Sequence, residues 1–269
     1  MNPHFANKTV VITGASAGVG AACARHFASA GANLVLVARG AAKLAAIGQE
    51  LRAHTQVLEV VMDVSSVENC KQLITNAITE FGRIDVLINN AGMHARGDVD
   101  TRSPNDIAAM VDINMRAPLV LTAAALPELR KNQGAVVMVG SLAGRAPLQG
   151  AATYGATKAG LRSFSHALHD ELIGTSVRVG IVSPGPIDTG FIMEEIDQVE
   201  DIVFSQPMST ADEVAANIAR LATQDIAEIC MPGLSGKLTT LSYLFPKLRR
   251  LLRPRLYAIG RKKKEKYRA

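Results

Sequence analysis

Short runs of apolar residues alternate along this chain with longer segments in which apolar residues recur every three or four positions. The short runs are typical of buried strands, and the longer segments are typical of amphipathic helices. The pattern predicts strands over residues 8–13, 33–38, 57–62, 85–88, 134–139, 177–182 and 227–231. It predicts helices over residues 19–30, 41–54, 65–81, 105–131, 151–173 and 210–223.

The predicted strands are apolar almost throughout, which indicates a sheet that is buried on both faces. Because helices separate them, an α/β fold with a parallel sheet between two helical layers is expected. Ser65 is expected to cap the third helix, with Glu68 completing a capping box, and Pro118 is expected to interrupt the fourth. No linker or repeat divides the chain, so we expect one domain over residues 1–235.

A glycine-rich loop, TGASAGVG at residues 13–20, follows the first strand and opens the first helix. A helix N-terminus at this place offers unpaired N–H groups and a positive dipole end to a pyrophosphate. Gly14 allows the tight turn, Gly18 lets the backbone approach the ligand, and Gly20 lets the helix pack closely on the sheet. The loop favours a dinucleotide site, with a simple turn between strand and helix as the alternative.

The second strand ends in Ala38 and Arg39, and no acidic residue follows in the turn. An acid at this place commonly binds the ribose hydroxyl of NAD. A guanidinium suits the 2′-phosphate of NADP instead, because it donates charge-assisted hydrogen bonds to phosphate. The turn therefore favours NADP(H) over NAD(H), and the alternative is that Arg39 points to solvent.

Ser141, Tyr154 and Lys158 fall within one short stretch after the fifth strand. Tyr154 and Lys158 are four residues apart in a predicted helix, so they share a face. An ammonium beside a phenol stabilises the phenolate, which would lower the pKa of a tyrosine from its usual value near ~10. Such pairs also occur on solvated helix faces, so the assignment depends on the rest of the chain.

Composition excludes several classes of protein. A chain of 269 residues with 48% hydrophobic and 20% charged residues is typical of a globular domain with a large core. No apolar run of about 18 residues occurs, so no transmembrane helix is expected, and the first residues lack a signal-peptide pattern. The three cysteines and six histidines show no metal-ligand spacing. We expect a cytoplasmic protein without a bound metal.

Several motifs occur in an order that resembles the short-chain dehydrogenase/reductase family in its one-domain form. They are TGASAGVG at residues 13–20, Asp63, NNAG at 89–92, Asn114, Ser141, YGATK at 154–158 and SPGPIDT at 183–189. Each motif is weak alone, but the set is specific, and the resemblance covers residues 7–231. It implies a Rossmann-type, doubly wound sheet of seven parallel strands in the order 3-2-1-4-5-6-7.

The resemblance also implies catalytic roles. Tyr154 would be the general acid in reduction and the base in oxidation, and Ser141 would hydrogen-bond the substrate oxygen. Lys158 would lower the pKa of Tyr154 and hold the nicotinamide ribose. Asn114 resembles the fourth member of the family's catalytic set, which orders a water in the relay to Lys158.

The resemblance likewise implies the residues that contact the cofactor. Asp63 would meet the adenine amino group, and Ile187 and Thr189 would contact the nicotinamide carboxamide. The full implied set is Gly14, Ser16, Gly18, Val19, Gly20, Arg39, Asp63, Val64, Asn90, Ala91, Gly92, Tyr154, Lys158, Pro184, Gly185, Ile187 and Thr189.

In the family, the segment after the sixth strand closes over the substrate, and here it covers residues 188–207. Its apolar residues, which are interspersed with five acids, are Phe191, Ile192, Met193, Ile196, Val199, Ile202, Val203 and Phe204. The residues expected to border the same pocket are Met93, His94, Leu142 and Leu148. As a set they favour an apolar carbonyl compound or alcohol over a sugar, while ordinary packing is the alternative for each of them.

Residues 236–269 are expected to form a basic, amphipathic helical extension, which departs from the common short members of the family. Its apolar residues recur at helical spacing and are Leu241, Leu244, Phe245, Leu248, Leu251, Leu252, Leu256 and Ile259. Pro246 and Pro254 are expected to break or kink the helix. Residues 247–268 hold eleven of the 29 basic residues and one of the 24 acids, a net charge of +10, which leaves −5 for the rest.

Three roles fit this extension. Residues 238–268 have the apolar and basic faces of a helix that lies on an anionic membrane. The same residues could instead pack on the protein itself or on a partner subunit. Non-specific binding of nucleic acid or an acidic carrier is the third role, and nothing indicates a specific nucleic-acid site.

Together these features predict an NADP(H)-dependent carbonyl reductase, reversible as an alcohol dehydrogenase, that acts on an apolar ketone, aldehyde or secondary alcohol. Reduction of a 3-ketoacyl thioester is the second enzymatic hypothesis. A non-catalytic NADP(H)-binding regulator is the alternative from another class, and the complete catalytic set argues against it. Helices 105–131 and 151–173 form dimer faces in similar proteins, so a homodimer or homotetramer is expected.

Overall fold

A sheet of seven parallel strands runs through the computed structural model, which describes residues 3–268. The strands are β1 (Thr9–Thr13), β2 (Asn33–Ala38), β3 (Val57–Val61), β4 (Val86–Asn89), β5 (Ala135–Val139), β6 (Arg178–Pro184) and β7 (Glu228–Met231). Their order is β3-β2-β1-β4-β5-β6-β7, and each neighbouring pair is parallel. The predicted fold class and strand order are confirmed. Residues 1, 2 and 269, which the predicted domain ranges include, lie outside the described residues.

Helices cover both faces of the sheet. They are α1 (Gly18–Ser29), α2 (Ala41–Leu51), α3 (Val67–Phe81), α4 (Pro104–Val111), α5 (Ala117–Asn132), α6 (Ala152–Glu171), α7 (Gly190–Met193), α8 (Ala211–Thr223), α9 (Gly233–Leu244) and α10 (Pro246–Arg268). Val10 and Ile12 of β1 pack with α1, α2 and α8, whereas Val11 packs with α3, α5 and α6. All three side chains are fully buried, which explains why the strands are apolar throughout.

Two local predictions need correction or refinement. Ser66 caps α3 by accepting a hydrogen bond from the N–H of Asn69, so the expected cap at Ser65 is wrong by one residue and the expected capping box is not formed. The N–H of Ser65 donates to the carboxylate of Asp63 and is therefore not available for a reciprocal bond to Glu68. The predicted fourth helix consists of α4 and α5, which are joined by one π-helical turn, Asp112–Arg116.

The segment Pro104–Asn132 has the length and apolarity of a helix that could cross a membrane. In the structure Leu121, Ala125 and Leu129 of this segment are buried on one face of the sheet. Pro118 lies in the first turn of α5, directly after the π turn, and the chain stays helical through it. These contacts are those of a core helix of the domain.

The chain after β6 builds two elements at the same end of the sheet. The lid (residues 188–207) contains α7 and two 3₁₀ segments, Ile196–Gln198 and Asp201–Ser205. The arm (residues 233–268) follows β7 and consists of α9 and α10. Helix α10 packs closely on the lid, because a Cβ at Gly260 would lie 1.8 Å from the carbonyl oxygen of Asp201.

Pro246 and Pro254 affect the arm differently. Pro246 begins α10 directly after the break at Phe245, whereas α10 continues through Pro254. Pro254 is exposed, so water can replace the backbone donor that proline lacks. The expected break is therefore found at one of the two prolines.

Candidate active site

The glycine-rich loop after β1 is held against the loop after β4. Thr13 Oγ1 accepts hydrogen bonds from the N–H groups of Asn90 and Ala91, each at 3.0 Å. Gly14 has a φ of +66°, and a Cβ on it would lie 2.8 Å from Asn90 Nδ2. A Cβ on Gly20 would lie 2.1 Å from the carbonyl oxygen of Gly14. Glycine is therefore required at both positions for this close packing.

The N-terminus of α1 differs from those of α3, α4 and α8 and, like those of α2, α6 and α9, has no side-chain cap among the described residues. The hydroxyl groups of Ser66, Ser103 and Thr210 cap α3, α4 and α8, whereas Ala17 precedes α1 and no side chain of the described residues caps it. Ala17 and Gly18 line the cleft described below. The first N–H groups of α1 are thus available to an anion, and a pyrophosphate fits this place.

Two basic residues and one acid line the cleft next to the carboxyl ends of β2 and β3. Arg39 at the end of β2 and Lys43 in α2 both line the cleft. Asp63 accepts a 2.9 Å hydrogen bond from the N–H of Ser65, which lowers the pKa of the carboxyl, and the charge of Arg39 adds to this effect. Sequence analysis missed Lys43, although its position four residues after Arg39 was a signal that could have identified it.

The structure brings Ser141, Tyr154 and Lys158 together at the carboxyl end of β5. Ser141 has extended backbone, and its Oγ accepts a 3.1 Å hydrogen bond from the N–H of Ala143 and shares a hydrogen bond with Tyr154. Tyr154 lies in the first turn of α6, and Lys158 lies one turn later. Lys158 Nζ is 5.8 Å from the centre of the Tyr154 ring and donates a 2.8 Å hydrogen bond to the carbonyl of Val139.

Burial controls the protonation of these two groups. It raises the pKa of Tyr154, against the smaller lowering effects of the Ser141 hydrogen bond and the charge of Arg96. It also lowers the pKa of Lys158 to about 8. We expected Lys158 to lower the pKa of Tyr154. The ammonium of Lys158 instead donates a hydrogen bond to the carbonyl of Val139, and burial of the phenol has the largest effect on the pKa of Tyr154. Tyr154 is therefore a protonated phenol at neutral pH.

Asn114 lies in the π turn and is fully buried. Its amide accepts a hydrogen bond from the N–H of Met93 and donates one to the carbonyl of Met93, each at 2.8 Å, and it also donates to Thr157 Oγ1 at 3.2 Å. A Cβ on Gly92 would lie 3.3 Å from Asn114 Oδ1 and 3.7 Å from Lys158 Nζ. Asn114 thus fixes the loop beside Lys158, and Gly92 keeps a side chain out of the space between them.

His94 stacks on Tyr154, with ring centroids 4.2 Å apart and planes inclined by 13°. Arg96 donates a 2.9 Å hydrogen bond to His94 Nδ1 and a 2.6 Å hydrogen bond to the carbonyl of Phe191, and it pairs with Glu195 at 3.0 Å. Burial and the charge of Arg96 lower the pKa of His94 to about 3, so the imidazole is neutral. Sequence analysis singled out His94 and missed Arg96.

A cleft with a volume of about 1090 Å³ connects these parts. This volume exceeds the roughly 300–1,000 Å³ of a typical ligand pocket. Every predicted cofactor and catalytic residue lines it except Gly20 and Asn114, which support its wall. Met93, His94, Leu142 and Leu148 line it as expected. Within residues 3–268 no cluster of His, Cys, Asp or Glu is placed to hold a metal ion.

The lid residues divide into two groups. Those that line the cleft are Phe191, Ile192, Ile202 and Val203. Val199 and Phe204 are buried with Ile192 in a small core of the lid, against which Met193 and Ile196 pack. Arg249, Arg250 and Arg253 of α10 also line the cleft, and sequence analysis did not place them there. The outer part of the cleft is therefore more basic than the sequence indicated.

Comparison with known proteins agrees with this geometry. The sequence model described as short chain dehydrogenase matches residues 8–200. The chain is 35% identical over 235 residues to an NADP-dependent 3-hydroxy acid dehydrogenase of Schizosaccharomyces pombe. The aligned region covers 86% of this chain and 88% of that protein. It is 32% identical over 259 residues to dehydrogenase/reductase SDR family member 7B of Bos taurus, and this aligned region covers 90% of this chain and 80% of that protein.

A solved structure gives the same result. A metagenomic short-chain oxidoreductase in complex with NADP superposes with a TM-score of 0.72 at 32% identity, over 84% of this chain and 97% of that chain. The family match covers most of the chain and includes the nucleotide loop and the Ser141–Tyr154–Lys158 set. The chain therefore belongs to the short-chain dehydrogenase/reductase family and is an oxidoreductase of hydroxyl and carbonyl groups.

Proposed function

We propose that the protein is an NADP(H)-dependent carbonyl reductase, reversible as an alcohol dehydrogenase, that acts on an apolar ketone, aldehyde or secondary alcohol. The observation that carries this proposal is the environment of Tyr154. Its phenol shares a hydrogen bond with Ser141, is stacked on the neutral ring of His94, and is kept protonated by burial. A phenol of this kind can deliver a proton to a carbonyl oxygen in the adjoining cleft.

The residues present fit NADP(H) as the cofactor. The uncapped N-terminus of α1 suits the pyrophosphate, and Arg39 with Lys43 supplies two cations where a 2′-phosphate would lie. The S. pombe relative is described as NADP-dependent, and the metagenomic oxidoreductase was solved with NADP. These likenesses support NADP(H) over NAD(H).

The protein's own side chains supply orientation and proton transfer. When bound, NADPH supplies the hydride that reduces the carbonyl carbon. Tyr154 donates a proton to the carbonyl oxygen, and the Ser141 hydroxyl holds that oxygen in place. Lys158, whose pKa is about 8, is half protonated slightly above neutral pH and can exchange a proton with water beside Asn114 and Gly92. In the oxidative direction Tyr154 acts as the base.

Apolar side chains near Tyr154 support an apolar substrate. Those that line the cleft are Met93, Leu142, Leu148, Phe191 and Ile192. Reduction of a 3-ketoacyl thioester is the second candidate, and one observation favours it. Arg249, Arg250 and Arg253 line the outer part of the cleft, where guanidinium groups could bind the phosphates of a thioester carrier.

The test is a screen of ketones, aldehydes and acetoacetyl thioesters with NADPH and NADH, which follows cofactor absorbance. We expect turnover of apolar carbonyl compounds with NADPH. Tyr154→Phe should retain NADPH binding, as measured by fluorescence, and lose turnover by about 10²–10⁴-fold. Normal turnover in this variant would falsify the proton-donor assignment. Tight NADPH binding without turnover of any substrate would support a regulator instead.

We also propose that the protein forms a homodimer or homotetramer, as expected from the helices that form dimer faces in similar proteins. These helices are α4 with α5, and α6; α5 and α6 lie on the same face of the sheet. Sedimentation velocity of the full chain measures the assembly directly. A monomer at micromolar concentration would contradict this part of the proposal and leave the catalytic assignment unaffected.

A further inference from the structure

The arm turns its apolar residues outward, which reverses the usual orientation of a surface helix. In α9 the residues turned toward the protein are Ser235, Gly236, Thr239 and Ser242. The large apolar residues of α9 that are exposed are Leu234, Leu238, Leu241, Tyr243 and Leu244. Helix α8 shows the usual orientation, because Val214, Ile218 and Leu221 are buried there.

Helix α10 continues the same reversal. The residues that face the protein are Arg249, Arg253, Tyr257, Gly260 and Lys264. The exposed aliphatic residues are Leu248, Leu251, Leu252, Leu256 and Ile259, and Leu251 reaches 74% exposure. An apolar surface that extends over two consecutive helices indicates a binding surface, since isolated exposed leucines are ordinary and a group of this size is not.

Polar contacts fix the arm in this orientation. Tyr257 donates a 2.9 Å hydrogen bond to Glu200, and Lys264 Nζ donates a 2.6 Å hydrogen bond to the carbonyl of Val199. In α9, Thr240 Oγ1 accepts a 2.7 Å hydrogen bond from Arg145. Because these contacts hold the polar face against the domain, the leucines of the arm remain outside.

Positive charge accompanies the apolar surface. Residues 247–268 carry a net charge of +10. Lys247, Arg255 and Lys262 are exposed, and no acid among residues 3–268 pairs with them. A second copy of the chain that used the same surface would bring equal charges together. An anionic lipid surface complements both the charge and the apolar side chains.

We propose that the arm docks on the surface of an anionic phospholipid bilayer. The residues placed in the interface are Leu241, Leu244, Phe245, Leu248, Leu251 and Leu252, with Lys247, Arg255 and Lys262 at the level of the lipid phosphates. Leu238 and Leu256 are exposed and also line the cleft. The mouth of the cleft therefore opens beside the bilayer, so an apolar substrate can pass from lipid to Tyr154; this last step rests on the proposed function.

Vesicle co-sedimentation of the full chain tests the docking without reference to activity. The vesicles contain phosphatidylcholine with phosphatidylglycerol, or phosphatidylcholine alone. We expect binding to the anionic vesicles, much weaker binding to the neutral ones, and partial release by high salt. Equal sedimentation with and without vesicles would overturn the proposal.

Three variants make the test specific to the arm. The triple variant Leu248→Ser, Leu251→Ser and Leu252→Ser should lose binding about tenfold or more. The triple variant Lys247→Gln, Arg255→Gln and Lys262→Gln should lose about a hundredfold on anionic vesicles. A control with Val61→Ser and Ile173→Ser, which changes apolar residues that are 55% and 73% exposed outside the arm, should bind like the parent.

The failure of this proposal is distinguishable from the failure of the proposed function. Thermal unfolding and NADPH binding of each variant show whether the fold is retained. Binding by the leucine variant at the parent level would refute docking through the arm. A different result would assign the surface to a second copy of the chain. In that case the parent protein would not bind vesicles, and the leucine variant would lose an oligomer that the parent forms in sedimentation velocity. Vesicle binding without any turnover would leave the docking intact and reject the reductase.

Discussion

Lys158 Nζ donates a 2.8 Å hydrogen bond to the carbonyl of Val139, the last residue of β5, two residues before Ser141. This bond ties the catalytic helix α6 to the strand that carries the serine. The ammonium is buried, with 5% exposure, and its pKa falls to about 8. Lys158 can therefore change its protonation state within a biologically relevant range of pH.

The two directions of the reaction should depend differently on pH near neutrality. Burial raises the pKa of Tyr154, so the phenol is protonated at neutral pH and reduction should be independent of pH there. Oxidation needs the deprotonated form and should increase as the pH rises. Lys158 should add an inflection near its pKa of about 8. The measurement is kcat/KM against pH in both directions, and parallel profiles would contradict the assignment.

Arg39→Asp should move cofactor preference from NADP(H) toward NAD(H). The change removes charge-assisted hydrogen bonds to a 2′-phosphate and adds a carboxylate that repels it. The ratio of kcat/KM for NADPH to that for NADH should fall by about tenfold to a hundredfold. Arg130→Asp, which changes an exposed arginine outside the cleft, is the matched control. A parent enzyme that prefers NADH would refute the prediction at the outset.

Gly20→Ala should prevent cofactor binding, whereas Gly233→Ala should have little effect. A Cβ at Gly20 would lie 2.1 Å from the carbonyl oxygen of Gly14, which would displace the loop that faces the pyrophosphate. At Gly233, which lies outside the cleft, a Cβ meets no described heavy atom within 4 Å. Fluorescence titration with NADPH compares the two variants, and circular dichroism establishes that each is folded. Equal affinity in both would show that the loop tolerates displacement.

The strands and the nucleotide loop could be predicted from the sequence because their signals are local. Burial of Val10, Val11 and Ile12 on both faces of β1 produces an uninterrupted apolar run. The turn after it requires glycine at Gly14, and the requirement is visible in the sequence itself. The same holds for Tyr154 and Lys158, whose spacing within one helix determines that they share a face.

Contacts between distant segments could not be predicted in this way. Arg96 is bonded to Glu195, which is 99 residues away, and nothing near Arg96 in the sequence signals this partner. The pKa of Tyr154 likewise depends on burial beneath His94 and the lid, which outweighs the lowering effects of Ser141 and Arg96. For the arm, periodicity predicted two faces but could not show which one is turned toward the protein.

A buried ion network joins the sheet edge to the arm. Glu228 of β7 accepts hydrogen bonds from Arg145, from Arg162 at 2.8 Å and from Ser183 at 2.7 Å. Burial alone would raise the pKa of this carboxyl, but the hydrogen bonds from Arg162, Ser183 and Arg145 outweigh it and hold the pKa at about 2. Arg145 in turn donates to Thr240 of α9, so Glu228 supports the position of the arm.

Glu228→Gln should lower the free energy of unfolding at neutral pH by about 1.5–3 kcal/mol, because it removes the negative charge that accepts hydrogen bonds from Arg145, which is mostly buried, and from Arg162, which is partly exposed. The pKa of Glu228 is lowered from 4.5 to about 2 in the folded state. Its contribution is therefore present above pH 4.5 and is lost as the pH falls toward 2. Urea unfolding of parent and variant should show a difference at neutral pH that shrinks in this acidic range. Glu80→Gln, at an exposed site, should show no such difference. A difference in unfolding free energy between the parent and Glu228→Gln that is independent of pH would contradict the ionic origin of the stabilisation.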